Sequence, residues 1–395
     1  MTSAIAFPAT VIGLMSGTSA DGVDAAILRT DGMDVAEPGE SLFVPYSDFL
    51  RRDILALMRG EGNEIGTANL LTDVHIDAVR QLLKKANLQS QDIALIGFHG
   101  QTIRHAPAEG ITVQIGDAQR MATELGIPVV ADFRNADVKA GGQGAPLVPL
   151  YHAVLTKKLP KPLMLVNIGG VSNVTWIGEA KTPTPLQESE KIIPLAINNF
   201  QNQSPPAEIS NIIAFDSGPG NAPLDDWMFE KTGQRYDKNG ETAASGVMDT
   251  EALSEFLQDP YFTLDAPKSL DRQHFAALIK SLIARHNWSV EDGALVLTAM
   301  SACSIAMSFS AVPANPKTIW VTGGGRKNDT MMGLLQASVG MPVLSVDELK
   351  WDGDMLEAQA FAYLAARSVL GLPLSLPTTT GVKEPTCGGI LYIAA

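Results

Sequence analysis

Residues 10–29 read TVIGLMSGTSADGVDAAILR, and this stretch decides the fold. Two apolar runs of strand length flank the polar segment 16–24, so the pattern predicts a β-hairpin whose turn is rich in glycine and hydroxyl side chains. Consecutive backbone N–H groups in such a turn can bind an anion, and Asp21 or Asp24 could hold Mg²⁺ beside phosphate oxygens. The segment matches neither a Walker A loop nor the dinucleotide GxGxxG pattern, and a polar hairpin without a ligand is the alternative.

Glycine-rich loops follow several of the predicted strands. Strand-like runs are found at 10–15, 23–29, 93–98, 112–115, 128–131, 163–168, 173–177, 212–215, 318–321 and 343–346, and the loops lie at 16–19, 99–100, 169–170, 216–218 and 323–325. Helical patterns at 48–58, 66–86, 118–125, 146–159, 251–257, 272–286, 291–311, 329–339 and 355–369 alternate with them. This alternation favours an α/β fold, in which ligands bind beyond the carboxyl ends of the strands. The similar starts of 10–29 and 163–177 suggest two related lobes.

The segment FDSGPGN, residues 215–221, contains the best candidate for a general base. Asp216 follows a buried strand and precedes a glycine–proline–glycine turn that fixes its direction. A carboxylate in this position can take a proton from water or from a hydroxyl group. The alternative is that Asp216 caps a helix over 222–230, because aspartate is a favoured capping residue.

Other polar candidates are spread over three regions. The segment VTGGGRKN, 321–328, can pass close to an adenine ring or to phosphates, or it can simply lead into a helix. Side chains that could bind a polyol are His99, Gln101, Arg104, Asp132, Arg134, Asp137 and Gln143. Among them, Arg134 could also grip a carboxylate. Glu357 leads the last predicted helix and is either a site residue or a favourable acid at a helix N-terminus.

Composition excludes several classes of protein. The chain has 395 residues and a net charge of −14, which disfavours binding to nucleic acid or to anionic membranes. Its two cysteines make neither a disulfide framework nor a zinc site. The N-terminal stretch lacks the basic region of a signal peptide, and we find no run of 18 apolar residues. We therefore expect a soluble, cytoplasmic protein.

A hairpin of the phosphate-binding type, a second Asp-Gly turn and a late Gly-Gly-Gly loop occur together in the two-lobed sugar kinase, hsp70 and actin superfamily. From end to end, the chain resembles the anhydro-N-acetylmuramic acid kinase family of this superfamily. The matching segments are GLMSGTSADGVDAAI, GFHGQTIRH, TVQIGDAQ, VVADFRNADVKAGGQGAPLVP, NIGGVSNVT, FDSGPGN, YDKNGETAASG, VTGGGRKN and EAQAFAYLA. The resemblance implies an α/β, ribonuclease H-like fold with an interlobe cleft. We expect lobe I to comprise 1–140 and 365–395, and lobe II to comprise 141–364.

The resemblance also implies an activity. Family members use ATP and water to open the 1,6-anhydro ring of 1,6-anhydro-N-acetylmuramic acid and to phosphorylate O6, in cell-wall recycling. By matching motifs, Asp216 would be the catalytic base. The ATP contacts would be Gly17, Thr18, Ser19, Ala20, Asp21, Gly22, Val23, Asp24, Gly218, Gly220, Gly323, Gly324 and Gly325. We expect His99, Gln101, Arg134 and Glu357 to contact the sugar, Mg²⁺ as cofactor, and a homodimer.

Three segments depart from the family pattern. Related sugar kinases carry an aspartate where this chain has Met15, so we assign the metal to Asp21. Segment 268–273 reads KSLDRQ, which keeps the lysine and arginine of the family pattern but changes its other residues. The polar stretch 178–210 is longer than expected and predicts a surface excursion. A kinase for levoglucosan or another anhydro sugar, and a non-catalytic nucleotide-binding protein of the same fold, are the alternatives.

Overall fold

The computed structural model describes residues 5–179, 211–270 and 274–394. The predicted excursion at 178–210 lies almost wholly outside these residues, as do three residues of the 268–273 segment. In the described part, the strands form one sheet of seven and one of five. The strands are β1 Ala9–Ser16, β2 Gly22–Thr30, β3 Ala36–Pro45, β4 Leu95–Ala106, β5 Ile111–Ile115, β6 Val129–Ala131, β7 Leu163–Ile168, β8 Val171–Ile177, β9 Ile212–Pro219, β10 Ile319–Thr322, β11 Val343–Ser345 and β12 Ile390–Tyr392.

Helices cover both sheets. They are α1 Asp48–Met58, α2 Glu64–Ala86, α3 Ala118–Leu125, α4 Asn135–Lys139, α5 Pro149–Leu155, α6 Ala222–Thr232, α7 Glu241–Ala244, α8 Thr250–Phe256, α9 Ala276–His286, α10 Val290–Met307, α11 Asp329–Val339, α12 Leu356–Val369 and α13 Pro377–Thr380. Helices α1, α2 and α3 pack on one face of the first sheet, and α12 packs on the other face. Because both faces of the sheet are covered, strand β1 is buried at seven of its eight positions.

The two sheets repeat one strand order. The first runs β12-β6-β4-β1-β2-β3, with β5 added to β4, and the second runs β11-β10-β7-β8-β9. In each, three successive antiparallel strands are followed by a strand that pairs in parallel with the first of the three and by one further parallel strand beyond it. In the first sheet, β5 and β12 then add in antiparallel orientation. The similarity between 10–29 and 163–177 is therefore structural, and it confirms the predicted α/β fold with two lobes.

Helix α12 approaches the first sheet unusually closely because glycines face it. A Cβ atom on Gly13 would lie 1.8 Å from the carbonyl oxygen of Ala358, and one on Gly97 would lie 2.2 Å from that of Phe361. The core around α12 also contains Tyr151 of α5, whose hydroxyl donates to Oε1 of Gln359 at 2.8 Å. All of α12 thus packs with the first sheet. The predicted division at residue 365 stays a proposal, and these contacts would move it to the beginning of the helix.

We expect Gly97→Ala to lower the free energy of unfolding by about 3 kcal/mol, because the new methyl group would overlap backbone atoms of α12. Urea denaturation followed by circular dichroism measures the change. Gly333→Ala is the matched control, since no described atom lies within 4 Å of its added Cβ and alanine favours a helix. Equal stability of the Gly97→Ala variant and wild type would contradict the close approach.

One helical stretch of the described residues, 290–311, is long and apolar enough to cross a membrane by length and composition. It is 61% buried inside the protein. Its apolar side chains pack against α6, α8 and α9 on one side and against the second sheet on another. The burial marks it as a core helix of the second lobe.

Candidate active site

A cleft of about 1020 Å³ lies where the strand ends of the two sheets face each other. Ten of the residues predicted for the site line it: Gly17, Thr18, Ser19, Asp21, Asp24, Arg134, Asp216, Gly323, Gly324 and Glu357. They come from five separate segments of the chain, which belong to both lobes. The fold therefore brings together the hairpin, the central Asp-Gly turn and the late glycine loop, as the proposed two-lobed arrangement requires.

Other predicted residues lie behind the cleft lining. They are Ala20, Gly22, Val23, Gly218, Gly220, Gly325, His99 and Gln101. Val23 is fully buried, and a Cβ on Gly22 would lie 2.4 Å from the carbonyl oxygen of Val44. Gly220 donates its N–H to the carbonyl oxygen of Gly170 at 3.0 Å. These residues shape the loops that face the cleft, and their contact with a nucleotide stays a prediction.

A buried chain of hydrogen bonds supports the β1–β2 turn. The Tyr46 hydroxyl donates to Oγ of Ser16 at 2.8 Å, and Ser16 donates to Oε1 of Gln101 at 2.5 Å. Gln101 Nε2 then donates to the carbonyl oxygen of Gly17 at 3.1 Å. Because this carbonyl accepts a hydrogen bond from a buried side chain, the turn is anchored to the interior of the protein. Gln101 thus contacts the predicted nucleotide loop, although we predicted it as a sugar contact.

Asp24 lies at the base of the turn in an environment that penalises negative charge. It pairs with Met15 across the β1–β2 ladder, so the two side chains lie next to each other on one face of the hairpin. Burial, together with the nearby charges of Asp21 and Glu357, raises the pKa of Asp24 to about 8. A divalent cation would relieve this repulsion.

The carboxylates near the β1–β2 turn fit a Mg²⁺ ion that is bound together with a nucleotide phosphate. Among residues 5–179, 211–270 and 274–394, no three histidine, cysteine or acidic side chains lie close enough together to hold a metal by themselves. Mg²⁺ is usually bound through one or two carboxylates together with phosphate oxygens and water. Asp24 and the exposed Asp21 could supply those carboxylates at the turn where a nucleotide phosphate would sit.

Asp216 lies inside β9, which continues through Pro219 instead of ending at residue 215 as predicted, and contacts on three sides hold it. Its N–H donates to the carbonyl oxygen of Lys268 at 2.9 Å, and its own carbonyl oxygen accepts from the Tyr261 hydroxyl at 2.6 Å. Its side-chain Oδ2 accepts from the N–H of Leu270 at 2.7 Å. The residue is 8% exposed. Helix α6 begins after Asn221, so the alternative that Asp216 caps this helix is wrong.

Burial raises the pKa of Asp216 to about 7, against the lowering influence of the Leu270 N–H and of the Arg134 charge. A carboxylate with such a pKa is half ionised near neutral pH and is basic enough to take a proton from water. Arg134 donates from Nη1 to the carbonyl oxygen of Gly144 at 2.6 Å and from Nε to His99 at 2.9 Å. His99 therefore lies behind Arg134, although we predicted it as a sugar contact.

A row of polar residues crosses the second sheet next to Asp216. In the ladder Thr322 pairs with Asn167, Asn167 with Asn173, and Asn173 with Asp216. Asn167 donates to Oε1 of Glu357 at 3.1 Å. Within the described part of the chain, Oδ1 of Asn173 is buried without a hydrogen-bond partner. Our sequence reasoning missed both asparagines, and the signal available was their place in the NIGGVSNVT segment.

The third loop, 323–325, is shaped by close packing and by one arginine. Gly323 has a φ of +76°, and a Cβ there would lie 2.4 Å from Oδ1 of Asn167. Arg326 donates to the Gly323 carbonyl oxygen at 3.0 Å and forms an ion pair with Asp354 at 2.6 Å. These contacts hold the glycine backbone open toward the cleft, where a flat ring or a phosphate could approach it.

Comparison with known proteins shows a similarity that extends along nearly the whole chain. A family model described as anhydro-N-acetylmuramic acid kinase matches residues 9–186 and 186–394. An anhydro-N-acetylmuramic acid kinase of Paramagnetospirillum magneticum is 44% identical over 378 residues, which cover 96% of this chain and 98% of that protein. One of Rhodospirillum rubrum is 44% identical over 389 residues, covering 97% and 94%. Among solved structures, component A of the Acidaminococcus fermentans (R)-2-hydroxyglutaryl-CoA dehydratase is 13% identical over 92% of this chain and 99% of that chain, with a TM-score of 0.46. Since the family model spans nearly all of the sequence, the chain belongs to the anhydro-N-acetylmuramic acid kinase family and is a kinase that acts on a small sugar.

Proposed function

We propose that the protein hydrolytically opens the 1,6-anhydro ring of 1,6-anhydro-N-acetylmuramic acid and phosphorylates O6 from ATP. The products would be N-acetylmuramic acid 6-phosphate and ADP. One observation carries the proposal: Asp216, with a pKa raised to about 7 by burial, lines the same cleft as the β1–β2 turn. A base for water and a loop for phosphates are the two parts that this reaction needs.

The proposed step uses one carboxylate. Leu270 holds Oδ2 of Asp216, which leaves Oδ1 to take a proton from the attacking water. The water oxygen bonds to the anomeric carbon C1 while the C1–O6 bond breaks. O6 then bonds to the γ-phosphorus, and the bond from that phosphorus to the bridging oxygen breaks with its electron pair leaving on ADP. Because the leaving oxygen is itself the phosphoryl acceptor, the step needs no second acid.

The remaining residues would bind and orient the substrates. The backbone N–H groups of the β1–β2 turn and of the 323–325 loop would contact the nucleotide. Arg134, Glu357 and Asn173, which line the same cleft, would contact the sugar. Mg²⁺, when bound, would neutralise charge that develops on the phosphates. Asp24 would hold it, with Asp21 as a second ligand. The pairing of Asp24 with Met15 in the ladder supports this order of preference.

We further propose that the reaction serves cell-wall recycling in the cytoplasm and that the protein is a homodimer. The first point rests on the resemblance, which implies cell-wall recycling for a family whose named substrate is anhydro-N-acetylmuramic acid. Both cysteines are free, which suits a reducing compartment. The dimer rests on the resemblance alone.

Mass spectrometry of the sugar after incubation with Mg·ATP tests the reaction. We expect a product that has gained one phosphoryl group and one water. A phosphorylated sugar with an intact anhydro ring would contradict the role given to Asp216. Phosphorylation of levoglucosan in place of the muramic acid derivative would contradict the substrate while leaving the chemistry in place. Running the reaction in ¹⁸O-labelled water should place the label at C1.

A further inference from the structure

We propose that His99 is a positioning residue that holds the guanidinium of Arg134 in the wall of the cleft beside Asp216 and Glu357. This inference rests on the proposed function, because it assigns a purpose to the charge next to the proposed base. His99 does not line the cleft, so its position does not favour a direct contact with the sugar. It touches the site through Arg134.

The contact between the two side chains has a defined direction. Nδ1 of His99 lies 2.8 Å from the carbonyl oxygen of Gly100, which can only accept, so Nδ1 carries the hydrogen. Nε2 of the neutral ring then presents a lone pair, and Nε of Arg134 donates to it at 2.9 Å. An imidazolium could not accept this hydrogen bond. The arrangement therefore requires neutral His99.

Burial favours the neutral form of His99. His99 is 4% exposed, and its ring packs on Phe361 with the centroids 4.6 Å apart. Burial, together with the adjacent Arg134 charge, keeps the pKa of His99 well below its usual value. Burial and the two hydrogen bonds thus favour the neutral imidazole, which acts as an acceptor for Arg134.

A second contact completes the placement of the guanidinium. Nη1 of Arg134 donates to the carbonyl oxygen of Gly144, and the Phe361 ring lies 6.0 Å from Cζ. His99 and Gly144 together use the Nε donor and one Nη1 donor. The other donors of the planar group are left to face ligands or the neighbouring carboxylates.

The guanidinium has an electrostatic effect on the proposed base. The titratable groups around Arg134 are His99, Asp137, Asp216 and Glu357, and those around Asp216 are Arg134, Tyr261 and Lys268. The charge of Arg134 lowers the pKa of Asp216, against the effect of burial. If the guanidinium lost its acceptor and moved away, the pKa of Asp216 would rise. A smaller fraction of Asp216 would then be ionised at neutral pH.

Two substitutions at the same position separate this role from simple packing. His99→Gln places an amide oxygen near the position of Nε2 and should still accept from Arg134. His99→Asn keeps a donor for the Gly100 carbonyl but is too short to reach Arg134. The ¹³C titration of the Asp216 carboxyl in the free enzyme, assigned with Asp216→Asn, reports the change. His152→Gln is the control for altering a buried histidine, since His152 is 2% exposed and contacts Thr175 away from the cleft.

We expect His99→Asn to raise the pKa of Asp216 by roughly half a unit or more, and His99→Gln and His152→Gln to leave it unchanged. The acid limb of kcat/KM for the sugar should move upward by the same amount in His99→Asn. Equal titration of the Asn and Gln variants would overturn the proposal and leave His99 as a packing residue. Failure of the wild-type protein to phosphorylate the sugar would contradict the proposed function alone, because the carboxyl titration needs no turnover.

Discussion

Asp216→Asn is expected to lower sugar phosphorylation by about a thousandfold while ATP still binds. The amide can accept the Leu270 hydrogen bond but cannot take a proton from water. The cleft keeps its shape, because the contacts of the Asp216 backbone to Tyr261 and Lys268 do not involve the carboxyl group. Single-turnover assays of the phosphorylated sugar measure the loss, and calorimetric titration with Mg·ATP measures binding.

Stability provides an internal check on this variant. The pKa of Asp216 is raised in the folded protein, so the carboxyl group favours folding when it is protonated and loses that contribution as the pH rises through about 7. At pH 8 the ionised, buried group is unfavourable, and the neutral amide should leave the melting temperature equal or higher. Asp117→Asn is the control and should retain full activity, because Asp117 is the N-cap of α3 and does not line the cleft. Appreciable turnover by a folded Asp216→Asn variant would remove Asp216 as the base.

The pH dependence of the wild-type activity tests the same role of Asp216 as the base. Because the base must be ionised, activity should rise with pH through about 7. An acid limb far below this value would mean that another group takes the proton or that ligands change the environment of Asp216.

The sequence predicts the fold well where strands are buried on both faces of a sheet. Strands β1, β2 and β7 are nearly continuous apolar runs, and their positions were predicted to within one or two residues. Strand β3 was missed because it is an edge strand with an exposed face, and its Pro38 and Gly39 resemble a loop. Its pairing with β2 depends on a partner that only the folded chain supplies.

The sequence predicted the loops that line the cleft, but it did not predict the contacts of the buried residues behind them. Strand β4 continues through Ala106 instead of ending at residue 98, and Gly100 bends it with a φ of +71°. His99 and Gln101 consequently lie inside a strand, on buried contacts, and not in a loop that faces the ligand. The roles of Asn167 and Asn173 depend on the register between β7, β8 and β9, which is non-local and is not written in any one segment. The glycine-rich loops could be recognised in the sequence, whereas the side chains packed behind them could not.

Asp24→Asn is expected to impair the Mg²⁺-dependent activity far more than Asp21→Asn does, although our prediction from the sequence assigned the metal to Asp21. We expect about a hundredfold loss of kcat/KM for Mg·ATP in the first variant and less than about tenfold in the second. The reason is position: Asp24 is partly buried and faces Met15 across the hairpin, whereas Asp21 is exposed at the tip of the turn. Activity measured over a range of Mg²⁺ concentrations at fixed ATP separates the two.

The electrostatics of the metal-free protein give this prediction a second measurement. With a pKa of about 8, Asp24 is destabilised in its ionised form by burial and by the charges of Asp21, Glu357 and Asp354. Removing its charge in Asp24→Asn should raise the melting temperature above pH 8 without Mg²⁺, and Mg·ATP should then stabilise the variant less than it stabilises wild type. Asp21→Asn should keep most of the stabilisation by Mg·ATP. If Asp21→Asn loses that stabilisation and Asp24→Asn keeps it, the metal is bound at the tip of the turn, and the pairing of Asp24 with Met15 has no part in binding it.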